Sequence, residues 1–442
     1  MLIIFYTYNA LLERCLLPIG DALMGARYMA NLRALRRCVK GGEESIRAYR
    51  NERLQAVLSA ATARSPYYAQ LGIAPCKDPE EWLRGFPVLE KATIRQEKDR
   101  LLTRPKAGLI KNSTSGSTGV QTEVWVSKRE QSAYRAAQTL WWEWAGYRIG
   151  YPILQTGLAT SRSVEKRIKD FLFRTYYLFA FGLEQGQVNA ALHWAAPKNA
   201  VLGGYASSLY VLSQMAGEGA TSTKFKTAIS WGDKLFDHYR RNIERAFGCR
   251  VYETYGTGEG LMIAAQKDLL YMYIMEPCVY LELLDEQGNP VQDGEIGQVV
   301  VTSLIHEAMP LIRYKPGDLA IRLPVGAYPP RRELCLPLLQ RVIGRETDIV
   351  RTPSGKRLIV HSFTGVLEYF PEIRQFCVVQ ENPEGVTIEY IPGEGFSEGV
   401  LEQVRERLAL LIGEPFGLHF KAVAEIPPTP SGKPQIIISR IA

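Results

Sequence analysis

The chemistry of this chain begins at Ser113-Thr114-Ser115-Gly116-Ser117-Thr118-Gly119. Hydroxyls crowd round two glycines there. Backbone N–H groups and side-chain donors can curl round an anion, and glycine permits the unusual dihedrals that this needs. No Gly-Lys-Ser/Thr follows Gly119, so the loop carries no cation of its own. The candidate to supply one lies far downstream, in Thr429-Pro430-Ser431-Gly432-Lys433. A proline-stiffened approach ends there in a flexible tip bearing the Lys433 ammonium, which can reach a buried phosphate. Serine–glycine runs also make plain turns and linkers, and most terminal lysines are simply solvated.

Two acids have the right setting to join such a site. Tyr255-Gly256-Thr257-Gly258-Glu259 follows a predicted strand, and small residues at a strand's carboxyl end suit a ligand crevice in an α/β sheet. Glu259 can hold Mg2+, which takes carboxylate oxygens and bridges phosphates. Arg313-Tyr314-Lys315-Pro316-Gly317-Asp318 sets Asp318 on a tight turn, where its oxygens can accept both hydroxyls of a ribose; capping the turn is its plainer use.

The elements that must position these residues read as mixed α/β. Residues 44–64 have helical periodicity, with Leu54, Val57, Leu58 and Ala61 on one face. Residues 128–145 read as a helix carrying Trp141, Trp142 and Trp144, whose spacing suits core packing better than stacking on a ligand. From 200 to 265 short strands alternate with helices, as in a mostly parallel sheet: Thr227–Ser230, then a helix from Asp237 to Phe247 closed by Gly248, then Arg250–Glu253. Residues 278–303 read as a small antiparallel region turning at Asp285 to Asn289. After Gly344 the pattern changes to two or three short strands round a helix at 397–412. The expected domains are residues 1–344, with 1–50 an apolar helical extension, and a small mobile α+β lid over 345–442.

At 442 residues the chain exceeds what one core usually supports, and 46% hydrophobic with 22% charged residues is an ordinary globular balance. The net charge of +7 is dispersed, with no long basic block, which disfavours nucleic acid and suits polyanions such as ATP or a phosphorylated thiol carrier. Seven scattered cysteines and five scattered histidines form no metal knuckle or disulfide framework and point to a reducing, cytoplasmic setting. Met1-Leu2-Ile3-Ile4-Phe5-Tyr6 is apolar but is soon interrupted by Glu13 and Arg14. A packed helix is the expectation for it, and an interfacial membrane contact the alternative.

In their order and spacing these motifs resemble the adenylate-forming (acyl- and aryl-CoA ligase) superfamily, from about Asn51 to the C-terminus. Ser65-Pro66-Tyr67-Tyr68, Phe86-Pro87-Val88-Leu89-Glu90-Lys91, Gly203-Gly204-Tyr205-Ala206-Ser207 and Met309-Pro310-Leu311-Ile312-Arg313-Tyr314 are similar to the phenylacetate–CoA ligase and CapK-like branch. The resemblance implies a large adenylating domain with a small mobile lid, and a two-step ligase using ATP, Mg2+, a small-molecule carboxylate and CoA. Residues 113–119 would hold the β- and γ-phosphates, and Ser230-Trp231-Gly232-Asp233 would lie along adenine. Tyr255 would stack on the base, flanked by Gly256 and Thr257. Glu259 would bind the metal, Asp318 and Arg345 would take the ribose, and Lys433 would bridge carboxylate and α-phosphate. Gly344-Arg345-Glu346-Thr347-Asp348 would be the hinge. Transfer to an amine, a hydroxyl or a carrier-protein thiol, and a nucleotide-binding relic without turnover, are the alternatives.

The chain departs from that pattern in four places. Gly258 stands where Thr or Ser often precedes the glutamate, with Thr257 a substitute hydroxyl. Thr347 replaces the usual hinge aspartate. Val120-Gln121-Thr122 lacks the common proline. Gln266 and Met272 lie near positions that hold zinc ligands in some relatives, so no structural zinc is expected.

Overall fold

A computed structural model describes residues 8–113, 122–157, 162–180, 183–218, 223–345, 349–367, 369–427 and 435–441. Thr114 to Gly119, Thr347 and Lys433 lie outside the described residues, as do the side chains of Ser113 and Arg345.

The amino-terminal part is helical: after residues 8–16 come α1 (Leu17–Met24), α2 (Tyr28–Cys38) and α3 (Glu43–Arg64). Leu54, Val57, Leu58 and Ala61 of α3 are buried, as the periodicity predicts. A hairpin follows, β1 (Ile110–Ser113) with β2 (Glu123–Val126), and then α4 (Lys128–Trp144). Helix α4 starts at a capping box in which Ser127 and Glu130 satisfy each other's free backbone amides. Trp141 and Trp144 are buried in the main core, whereas Trp142 stacks on Trp231 with centroids 5.6 Å apart.

Alternating strands and helices then build a parallel sheet: β3 (Ile153–Gly157), α5 (Val164–Leu172), β4 (Thr175–Phe179), α6 (Gln185–Ala195), β5 (Val201–Tyr205), α7 (Ala206–Glu218), β6 (Thr227–Trp231), α8 (Asp237–Phe247) and β7 (Val251–Gly256). Strands β4-β3-β5-β6-β7 are parallel neighbours, so their carboxyl ends share one edge. Gly248 closes α8 in the left-handed conformation, as expected of it.

The sheet continues without a break into antiparallel strands: β8 (Met262–Gln266), β9 (Met272–Ile274), β10 (Val279–Leu284), β11 (Ile296–Ser303), β12 (Asp318–Arg322) and β13 (Leu338–Arg345). The antiparallel region is therefore larger than the sequence suggested, and it is fused to the parallel strands through β7–β8. Its short, bulged strands blur the alternation that marks a β run, as at Leu319/Ala320.

Residues from 349 onward pair only among themselves, within the described residues: hairpin β14 (Ile349–Arg351) with β15 (Arg357–Ile359), then α9 (Val360–Leu367), β16 (Ile373–Asn382), β17 (Gly385–Pro392), α10 (Glu398–Ile412), β18 (Gly417–Ala422) and β19 (Ile437–Ser439). The order β18-β17-β16-β19 makes a second sheet, with more strands than the sequence indicated. Its core of Phe363, Ile388, Val404, Leu408 and Ile437 also takes in Phe236. No helix among the described residues is long and apolar enough to cross a membrane.

Candidate active site

Crowding marks the carboxyl edge of the parallel strands. A Cβ on Gly157 would sit 2.5 Å from the Tyr177 hydroxyl, and one on Gly203 would sit 2.7 Å from the Trp231 ring. At Gly232, where φ is +83°, the Tyr205 ring occupies the space a side chain would need. The strand ends are therefore bare backbone walled by aromatic rings. Burial, with the nearby Asp233 carboxylate adding to it, pushes the Tyr205 phenol up to about 12, so it stays a hydrogen-bond donor.

Asp233 has a structural task here. Its carboxylate accepts the backbone amides of Ala206 and Ser207 and the Ser207 hydroxyl, capping the first turn of α7. Its expected place along a nucleotide base thus coincides with a job that any ligand must leave intact.

Beyond β7 the chain turns tightly: Thr257 N–H donates to the Leu261 carbonyl (3.0 Å) and Gly260 N–H to that of Thr257 (3.0 Å). This turn buries Glu259, which is 3% exposed. Tyr314, fully buried and laddered to Val301, donates its hydroxyl to the Glu259 carboxylate. Four residues away along each segment, Tyr255 donates to Asp318 Oδ2 at 2.9 Å. Two tyrosine–carboxylate pairs thus run in opposite senses between 255–259 and 314–318, fastening both acids to one wall. Asp318 also stands directly opposite Arg345 in the β12–β13 register.

The serine–glycine run reaches this wall through its stem. Ser113 pairs with Glu123 across the β1–β2 hairpin. A Cβ on Gly260 would lie 3.5 Å from Asn112 Nδ2, the residue just before Ser113, and 3.3 Å from His306 Nε2. Behind the turn, His306 Nδ1 is 2.6 Å from the Ser303 hydroxyl. Burial holds this imidazole below its ordinary range, against the opposing pull of Glu130 and of its bond to the Glu259 carbonyl. The neutral ring accepts from Ser303 at Nδ1 and donates from Nε2. Glu130 stays below the usual carboxylate range in spite of burial, because Ser127 and Ala308 hydrogen-bond its ionised form.

The residues fit a metal-bound polyphosphate. Glu259 is a buried carboxylate with a phenol donor and no ion-pair partner among the described residues. Thr257 Oγ1 and Ser230 Oγ are buried without hydrogen-bond partners among the described residues. A buried acid and two buried hydroxyls so placed are costly unless something completes them, and a ligand at the strand edge would do so.

Of the predicted site residues, Gly232, Asp233, Tyr255, Gly256, Thr257, Glu259 and Asp318 gather along the carboxyl edge, joined by the backbone of Ser113 and Arg345. The sequence reading missed Tyr314, His306 and Asn112 as parts of the site. Tyr314 has a signal after all: it precedes Asp318 by the same four residues that separate Tyr255 from Glu259. His306 was one dispersed histidine with no motif around it.

No family model matches the chain. It is 21% identical to Protein CapK of Staphylococcus aureus over 438 residues, covering 94% of this chain and 92% of that protein. It is 25% identical to the phenylacetate-coenzyme A ligase of Pseudomonas putida over 327 residues, covering 70% of this chain and 72% of the relative. Among solved structures it shares its fold with 2-hydroxyisobutyryl-CoA ligase in the postadenylation state with 2-HIB-AMP, at a TM-score of 0.72, 18% identity and 91% coverage of each chain.

Proposed function

We propose that this chain, a member of the adenylate-forming superfamily in its phenylacetate–CoA ligase and CapK-like branch, is an AMP-forming acid–thiol ligase. The observation that carries this reading is the convergence of three separated motifs. The stem of the 113–119 loop, the Glu259 turn and the Asp318–Arg345 register meet along one strand edge, tied by Tyr255–Asp318 and Tyr314–Glu259.

In the first step a carboxylate oxygen attacks the α-phosphorus of ATP and pyrophosphate leaves with the bridging electron pair. In the second the CoA thiol, giving up its proton, attacks the acyl carbon and AMP departs. Residues 113–119 cradle the β- and γ-phosphates, and Tyr255, beside Gly256 and Thr257, lies along the base. Asp318 and Arg345 orient the ribose. Glu259 would hold Mg2+, which when bound neutralises phosphate charge. Lys433 brings its ammonium to the carboxylate and α-phosphate as charge gathers between two anions, stabilising the transition state more than the bound substrates. The segment after Gly344 acts as a lid, turning about residues 344–348 so that one site serves both steps.

The finer reading is an aromatic acid in a biosynthetic pathway. The rings of Tyr205, Trp231 and Trp142 beside the strand edge support the acid, and likeness to CapK over nearly the whole chain supports the setting. Carboxylate-dependent AMP release, measured with and without CoA over a panel of acids, tests it. Adenylation without CoA-dependent thioester would move the acceptor to an amine, hydroxyl or carrier thiol. No AMP release with any acid would leave a nucleotide-binding relic.

A further inference from the structure

Two helices, α1 and α5, leave their apolar faces exposed. Among the described residues, eight of the fourteen exposed large apolar side chains fall within residues 11–24 and 164–171. Leu16, Ile19 and Leu23 recur at helical spacing, as do Val164, Ile168 and Phe171, so each set forms one stripe. Neither α1 nor α5 buries a single residue, and Leu23 and Phe171 are 82% and 81% exposed. The stretch that leads into α1 touches the end of α5: the Tyr8 hydroxyl donates to the Leu172 carbonyl at 2.6 Å, and the Arg174 guanidinium lies 6.0 Å from the Tyr8 ring. Soluble surfaces seldom concentrate apolar groups in this way without a partner.

The charge around the stripes identifies that partner. Residues 8–24 hold Arg14 against Glu13 and Asp21, and residues 162–174 hold five basic and two acidic side chains. All four acids are already engaged. Glu13 pairs with Arg36, Asp21 accepts the amides of Tyr28 and Met29, Asp170 pairs with Arg162 and Glu165 with Lys169. Exposed Arg14, Lys166 and Arg167 make no ion pair among the described residues. Arg14 also borders a cavity of about 1010 Å3 that Arg148, Lys198 and Lys226 line at the amino ends of β3, β5 and β6. A two-fold contact with a second copy would press these cationic rims together. An anionic lipid surface satisfies both the apolar stripes and the cations.

We propose that the face formed by residues 8–24 and α5 docks on an anionic membrane. The cavity lies at the amino ends of the strands and the candidate active site at their carboxyl ends. The test is co-sedimentation of the full chain with mixed phosphatidylcholine–phosphatidylglycerol vesicles and with phosphatidylcholine alone, alongside sedimentation equilibrium without lipid. Binding to the mixed vesicles only, weakened by salt, is expected. Leu23→Ala and Phe171→Ala should each lower the partition coefficient roughly tenfold, the yield of one large apolar side chain. Joint replacement of Lys166 and Arg167 by Gln should lower it at least as much. Melting temperatures should not move, since these side chains bury nothing in the fold. No binding, or equal binding to both vesicles, overturns the proposal. So does a dimer that Leu23→Ala and Phe171→Ala dissociate, because the occupant of the face is then a second copy.

Discussion

Tyr314→Phe isolates the contact on which the geometry of the candidate metal acid depends. The substitution keeps the ring in its fully buried place and removes one hydroxyl, the donor to Glu259. A hydrogen bond to a charged acceptor contributes about 1.5–3 kcal/mol, so the nucleotide-free protein should lose that much, roughly a ten- to hundredfold change in its unfolding equilibrium. In a Glu259→Gln background the acceptor is neutral, and the same replacement should cost only about 1 kcal/mol. Urea melts of the four proteins give the cycle, and pyrophosphate exchange on the same samples shows whether loosening the carboxylate slows adenylation. Equal losses in both backgrounds would reduce Tyr314 to a packing residue. No loss in either would refute the pairing itself.

Further outcomes follow from other residues. Lys433→Ala should keep ATP binding while slowing pyrophosphate release by about 3–4 kcal/mol, roughly hundreds-fold; an unchanged rate would remove the lysine from the chemistry. Asp233→Ala should uncap α7 and destabilise the protein by about 1 kcal/mol, read as a lowered thermal midpoint. Gly232→Ala should cost roughly 1–3 kcal/mol, because the new methyl meets the Tyr205 ring in a backbone conformation that disfavours it; normal melting would contradict that. Burial keeps His306 neutral, so in the window from about pH 6.5 down to its lower folded value the unfolded chain binds the extra proton. Stability should be full above that window and fall through it on acidification, and His306→Gln should flatten that limb of a pH–stability curve.

The order of motifs was legible because each is local. Glycines, hydroxyls and acids at strand ends leave their mark within five or six consecutive residues, and helices such as Glu43–Arg64 and Asp237–Phe247 announce themselves by period and cap. The tryptophans at 141 and 144 also behave as their spacing indicated, whereas Trp142 found a stacking partner 89 residues away in sequence. The extent of the antiparallel half was not legible, since bulges between Leu319 and Ala320 and between Ile321 and Arg322 break the two-residue period on which a strand reading relies.

By itself, then, the sequence determined which groups were available for chemistry and which elements would carry them, because propensity, capping and periodicity act over a few residues. Tertiary structure alone decided which groups meet. It brought Tyr314 onto Glu259 across 55 positions and Tyr255 onto Asp318 across 63. It gave the Asp233 carboxylate to a helix start and set a neutral imidazole behind the acid turn. Such contacts depend on strand register and burial, which no short window of residues contains, because each side of the contact is chosen by a different part of the chain.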